Sequence, residues 1–215
     1  MIDLEQYEIF VHHRSTLKET SLDDRDGPVN AYMTDSMLDV VDFDGVKEEY
    51  IRDLQLCETP KSNDALFNDG CGCLVFAEFK NGFINRTEQF SVRKKIYDSV
   101  LMFSDITSMG ISEMRKMVKY ILVYNESANQ ANILDKELQK KQRVQPPPSP
   151  ALDNFAKTMG KLAKEEYICF GLSIFRNYCF KEVHTYTKTE FEDYLSGLKK
   201  NAENKNHKKE TQNEK

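Results

Sequence analysis

The apolar positions of this chain follow two periods, and the changes between them mark out its elements. Over 44–55, Val46, Tyr50, Ile51 and Leu54 recur at helical spacing with Lys47, Glu48, Glu49 and Arg52 between them, which predicts a helix ending before Pro60. Ala65-Leu66-Phe67, the turn-forming Asn68-Asp69-Gly70 and Cys73-Leu74-Val75-Phe76-Ala77 predict two short strands joined by a turn. Both alternating faces of the second strand stay apolar up to Glu78, the pattern of a central strand covered on both sides. After Gly82, Val92, Ile96, Val100 and Phe103 form one stripe of a long helix over 88–106, and 118–124 is again a short continuous apolar run. Strand, long helix and strand in that order predict a right-handed parallel crossover.

The flanking regions are less regular. Short apolar pieces at 7–11 and 29–33 bracket a charged stretch at 18–26 that reads as a solvated loop. Residues 126–143 have helical composition but few apolar anchors, and they meet Pro146-Pro147-Pro148-Ser149-Pro150, which neither continues a helix nor joins a central strand. Leu152, Phe155, Met159 and Leu162 form another helical stripe, 179–186 reads as a strand, and Thr189 is placed to cap a last helix over 190–198. The expectation is an α/β fold with a mixed central sheet and flanking helices, in one domain over 1–198. Its core lies at about 42–125, and a C-terminal subregion at 151–198 follows a proline-rich connector at 145–150. Residues 199–215 have little to bury and are expected to form a disordered polar tail.

Charge and cysteine content narrow the possible roles. A formal net charge of -5 over 215 residues lacks the overall basic excess of an electrostatic DNA binder, so any nucleic-acid surface has to be local. Five cysteines, an odd number with no secretory leader ahead of them, argue against a disulfide framework and for a reducing, cytoplasmic setting. No apolar run approaches the ~20 residues needed to span a bilayer, so no membrane partner is expected. Cys71 and Cys73 lack a second Cys/His pair at zinc-binding spacing, and there is no glycine-rich phosphate loop.

The chemistry concentrates where the central strand ends. Glu78 and Lys80, two apart on an extended strand, emerge on one face while Phe79 points to the other. Asp64 sits just ahead of the partner strand, where hairpin pairing brings its carboxylate beside Glu78. Two hard oxygen ligands and a lysine suit phosphodiester hydrolysis with Mg²⁺ or Mn²⁺, which stabilises charge at phosphorus and lowers the pKa of water. The plainer readings are a salt-bridged strand end for Glu78 and Lys80, a turn-initiating residue for Asp64, and solvated helix faces for Glu48, Glu49, Arg93, Lys94 and Lys95.

Asp64, the hairpin and Glu78-Phe79-Lys80 resemble the PD-(D/E)XK nuclease superfamily, whose motif is an acid, a variable hairpin and a Glu/Asp-X-Lys strand followed by a helix. Pro60-Lys61-Ser62-Asn63-Asp64-Ala65-Leu66-Phe67, Glu78-Phe79-Lys80-Asn81-Gly82 and Arg93-Lys94-Lys95-Ile96-Tyr97-Asp98-Ser99 are also similar to small uncharacterised bacterial proteins. The resemblance covers about 42–125 and implies a restriction-endonuclease-like core. It also implies Asp64 and Glu78 as metal ligands, with Glu48 or Glu49 as a third, and Lys80 as the catalytic lysine. Arg93, Lys94 or Lys95 would meet a phosphate. Asn63 stands where the motif name has proline, and Asp69 is a second claimant for the first acid. The implied function is a metal-dependent endonuclease or exonuclease acting on DNA or RNA, in bacterial defence. The alternative is a catalytically inactive nuclease-fold adaptor that binds a partner protein.

Overall fold

The computed structural model describes residues 2–23, 31–131 and 168–213. The proline-rich connector, the stripe at 152–162 and most of 126–143 lie outside the described residues, as do parts of the stretches at 18–26 and 29–33. The elements, in chain order, begin with α1 (Glu8–His12), β1 (Arg14–Thr16), α2 (Leu17–Thr20), β2 (Leu22–Asp23), β3 (Ala31–Tyr32) and β4 (Asp39–Asp42). They continue with α3 (Phe43–Tyr50), β5 (Ala65–Asn68), β6 (Leu74–Lys80), α4 (Arg86–Thr107), α5 (Ile111–Met117) and β7 (Val118–Tyr124). After residue 167 come β8 (Glu182–Thr187) and α6 (Lys188–Asn213).

Six strands form one mixed sheet in the order β1-β4-β5-β6-β7-β8, and β2 pairs with β3 separately. The strands from β1 to β6 are antiparallel to their neighbours, whereas the β6–β7 and β7–β8 pairs are parallel. The hairpin and the parallel crossover expected around 65–124 are both present, with α4 joining β6 to β7. Every residue of β6 is buried, as its unbroken apolar run requires of a strand with neighbours on both edges and cover on both faces.

Strand alternation divides the interior into two layers. Leu74 and Phe76 join Val46, Ile96, Phe103, Tyr120 and Leu122 on the face covered by α3 and α4. Val75, Ala77 and Phe79 join Ile121, Val123, Phe191 and Leu195 on the face covered by α6. Phe76 centres the first layer, with its ring 5.0 Å from Phe43, 5.6 Å from Phe103 and 6.3 Å from Phe180. No helix among the described residues is long and apolar enough to cross a membrane.

The differences from expectation lie mostly at the ends. Lys18 and Thr20 belong to the short helix α2, which Thr16 caps by accepting the Glu19 N–H, where a solvated loop was expected. The last helix is capped by Thr187 and not by Thr189. Thr187 Oγ1 accepts the Glu190 N–H and Glu190 Oε2 accepts the Thr187 N–H, a reciprocal box that requires Glu three residues on. Thr189 turns instead to Glu126. The same helix runs on to Asn213. Lysine, glutamate and glutamine, frequent in its sequence, are good helix formers.

Phe76→Ala would empty the centre of the aromatic cluster. The expected loss of stability is about 3–5 kcal/mol, read as a lower urea midpoint with an unchanged slope.

Candidate functional site

Glu78 and Lys80 are the last inward-facing residues of β6 on its α4-covered face, continuing the series Leu74 and Phe76. Asp64 lies one step before the Ala65–Ala77 pair, so antiparallel register sets it opposite Glu78. Three backbone contacts hold it there: its N–H donates to the Ala77 carbonyl at 3.1 Å, its carbonyl accepts the Phe43 N–H at 3.1 Å, and its Oδ2 accepts the Phe79 N–H at 2.6 Å.

The segment leading to Asp64 is strapped to α4. Lys61 N–H donates to Asp98 Oδ2 at 2.7 Å, Lys61 Nζ donates to Ser91 Oγ at 2.8 Å, and Asn63 N–H donates to the buried Ser99 Oγ at 2.8 Å. Ser62 Oγ donates to Asp44 at the start of α3. The Asn63 carboxamide is fully buried, and neither of its polar atoms finds a hydrogen-bond partner among the described residues. Leaving such a group unpaired costs on the order of 1–3 kcal/mol, and here the cost falls directly beside Asp64.

Asp64 and Glu78 converge on one point, and Lys95 of α4 supplies the charge there. Its Nζ lies 2.8 Å from Asp64 Oδ1, 2.7 Å from Glu78 Oε1 and 2.9 Å from Glu78 Oε2. Lys80 Nζ is 3.1 Å from Glu78 Oε1 and 3.7 Å from Glu88 Oε2, close enough for ion pairing. Neither contact is aligned as a hydrogen bond, so this ammonium, on a side chain only 5% exposed, donates to no acceptor among the described residues.

Burial pushes the Glu78 carboxyl up to about 7, aided by the Asp64 charge and opposed by Lys95 and Lys80. Burial acts to lower the Lys95 ammonium, but Asp64 and Glu78 together hold it well above the usual lysine range. The two shifts pull apart across one contact. Lys95, held by two carboxylates, keeps its proton, and Glu78, which bears both the greater burial and the repulsion of Asp64, is the group that titrates near neutrality.

The other residues singled out in the sequence are engaged elsewhere. Arg93 reaches the carbonyls of Phe170 and Gly171, and Lys94 pairs with Asp98 one turn on. Glu49 is held by His12 and His13 of the N-terminal segment, and Glu48 pairs with Lys47. Asp69 sits in the turn at the far end of the hairpin, accepting the Cys71 and Cys73 N–H groups and pairing with Lys119, the work of a turn-forming aspartate.

Among the described residues no group of three His, Cys, Asp or Glu side chains is placed to share a metal ion. Of the three basic residues at 93–95 only Lys95 enters the site. Glu88, which sequence reasoning passed over, faces Lys80. The spacing of Glu88, Lys95 and Ser99 at seven and four residues was the available signal, a polar line along a helix whose neighbouring line is apolar.

No family model, characterised protein or solved structure matches this chain. The residues themselves therefore have to carry the functional reading. Chemically they make a centre of opposed charges: Asp64 and Glu78 against Lys95 and Lys80, with Glu88 at its edge, where a hairpin, a strand end and a helix face adjoin.

Glu78→Gln tests the electrostatics. An ordinary glutamate releases its proton near 4.5, whereas folded Glu78 holds one up to about 7. Between those values the folded state binds more protons than the unfolded chain, so wild-type stability falls as pH rises through that window and levels off above it. The shift corresponds to on the order of 3 kcal/mol. Chemical denaturation from pH 4 to 8 is expected to show this decline in wild type and a flatter profile in the glutamine variant.

Proposed function

We propose that this chain is a metal-dependent nuclease of the PD-(D/E)XK kind, with Asp64 and Glu78 as metal ligands and Lys80 as the catalytic lysine. The observation that carries the reading is the convergence of the Asp64 and Glu78 oxygens on a single cation position. The sequence of parts agrees with it: an acid, a hairpin, a Glu-X-Lys strand ending and a helix packed over them. By analogy this core is restriction-endonuclease-like.

The donor set fits Mg²⁺ or Mn²⁺. Mg²⁺ keeps several waters and needs only one or two carboxylates besides substrate phosphate, so the want of a third acid does not disqualify the pair. Glu48 and Glu49, engaged elsewhere, are not needed for it. When bound, such an ion stabilises charge at a phosphoryl group and acidifies water.

The protein's own groups account for the rest. Asp64 is oriented by the Phe79 N–H, so one oxygen stays directed at the shared position. Lys80 holds a desolvated ammonium with donors to spare, suited to a phosphate oxygen whose negative charge grows in the transition state. Burial keeps both groups in low dielectric, where that stabilisation is larger than in water. DNA and RNA are both admissible substrates, within bacterial defence as the resemblance suggests.

A second reading, the inactive adaptor, has one observation in its favour. Phe90, Tyr97 and Leu101 are exposed on α4 at spacings of seven and four, an apolar line suited to a protein partner.

Wild type, Glu78→Ala and Lys80→Ala are to be incubated with a panel of DNA and RNA in Mn²⁺, Mg²⁺ or EDTA. The expected result is metal-dependent cleavage by wild type that drops at least about a hundredfold in each variant, in keeping with loss of an electrostatic catalytic group. Cleavage that survives both substitutions, or that EDTA leaves intact, sinks the assignment. A folded wild type that cuts nothing moves the weight to the adaptor.

A further inference from the structure

We propose that Lys95 is a tethered cation that competes with the divalent metal for the oxygens of Asp64 and Glu78, so that the metal enters only as the ammonium leaves. The inference rests on the nuclease reading and adds its regulation.

Position is the first argument. Lys95 Nζ lies within hydrogen-bonding distance of both carboxylates, at 2.8 Å from Asp64 Oδ1 and at 2.7 and 2.9 Å from the two Glu78 oxygens. These are the oxygens a metal would need, and two cations held at one point repel strongly in a site walled off from water.

Charge balance is the second argument. Asp64 and Glu78 carry two negative charges when ionised, and Lys80 and Lys95 carry two positive ones. Glu88, partly exposed at 3.7 Å from Lys80, adds a third carboxylate at the edge, so a divalent ion added to the intact cluster leaves it with an excess of one positive charge. Moving the Lys95 ammonium away from the carboxylates relieves that excess.

The third argument is freedom to move. Lys80 extends from a central strand paired on both sides, and its side chain is almost sealed. Lys95 extends from α4 on a flexible stem of four methylenes, and its side chain is 13% exposed against 5% for Lys80, so it is the less enclosed of the two. A phosphodiester arriving with the metal offers the displaced ammonium a new anionic partner. Metal and substrate binding then favour each other through Lys95, a coupling that is reciprocal by linkage.

The test is calorimetric titration of the full chain with Mn²⁺ alone, without nucleic acid. It compares wild type, Lys95→Met, Lys95→Gln, Lys95→Arg and Glu78→Gln. Lys95→Met and Lys95→Gln are expected to bind Mn²⁺ at least about tenfold tighter than wild type, the equivalent of removing one competing ion pair. Lys95→Arg, still cationic, is expected to stay near wild type.

Thermal melting supplies a second readout. The metal-free neutral variants should melt lower than wild type, because two carboxylates lose their counter-ion, and Mn²⁺ should raise their midpoint by more than it raises wild type. Lys95→Gln keeps a donor for Asp64 and serves if the methionine variant does not fold. Neutral variants that bind Mn²⁺ no tighter than wild type, while Glu78→Gln abolishes wild-type binding, overturn the competition and leave the nuclease reading standing. Absence of binding in every protein overturns both.

Discussion

Glu78 has no exposure to solvent, and a carboxylate so placed costs several kcal/mol unless opposite charge and hydrogen bonds compensate it. That constraint organises the surroundings. The β6 strand could have ended, as most buried strands do, with its charged residues in water. It instead carries Glu78 and Lys80 inward on the face that bears Leu74 and Phe76, beneath α4. Lys95 has to sit where it does for Glu78 to be tolerated, and Asp64 has to share Lys95 for that lysine's ammonium to be tolerated in turn. The four side chains are mutually dependent, because removing one leaves another buried and uncompensated.

The fold meets this requirement through helix placement. The rotation of α4 about its axis decides whether Lys95 or a neighbouring side chain faces the sheet. Two sets of contacts set that rotation: Val92, Ile96, Val100 and Phe103 pack on the sheet, and Ser91, Asp98 and Ser99 hold the strap at 61–63. The strap also fixes Asp64. One helix thus positions the acid from the hairpin and the base that answers it. The packing of an apolar stripe and the geometry of a polar centre are consequences of the same docking.

This division explains what was legible in the sequence. Glu78 and Lys80 were readable because period-two alternation is local, and Asp64 because the short turn joining the two strands sets the hairpin register. The α/β class and the parallel crossover were readable from long runs with clear periods. Lys95 was readable only as one of three basic residues on a helix. Choosing among Arg93, Lys94 and Lys95 needs the angle at which α4 meets the sheet, a tertiary quantity. The acids of α3 show the same limit from the other side: their exposed-face pattern was visible, but the partners of Glu49 are His12 and His13, supplied by a segment about 36 residues away in sequence. Strands β1 and β4 escaped notice because three or four residues are too few to establish a period.

The chain is acidic overall, and its candidate centre has no excess of positive charge, two facts compatible with phosphodiester chemistry only if attraction for the substrate is generated locally and late. A permanently positive cleft would recruit nucleic acid from a distance and lose affinity steeply with salt. A centre in which two lysines answer Asp64 and Glu78, with Glu88 beside Lys80, offers no positive field to an approaching polyanion. Under the proposed reading it would become net positive once a divalent ion had entered, and the displaced Lys95 ammonium would then be available to a phosphate. Such a site would discriminate by coupling two weak binding events instead of by one strong electrostatic one. Its demand on the protein is that the second cation be movable while the first is not, and the placement of Lys95 on a surface helix and Lys80 on a buried strand meets that demand.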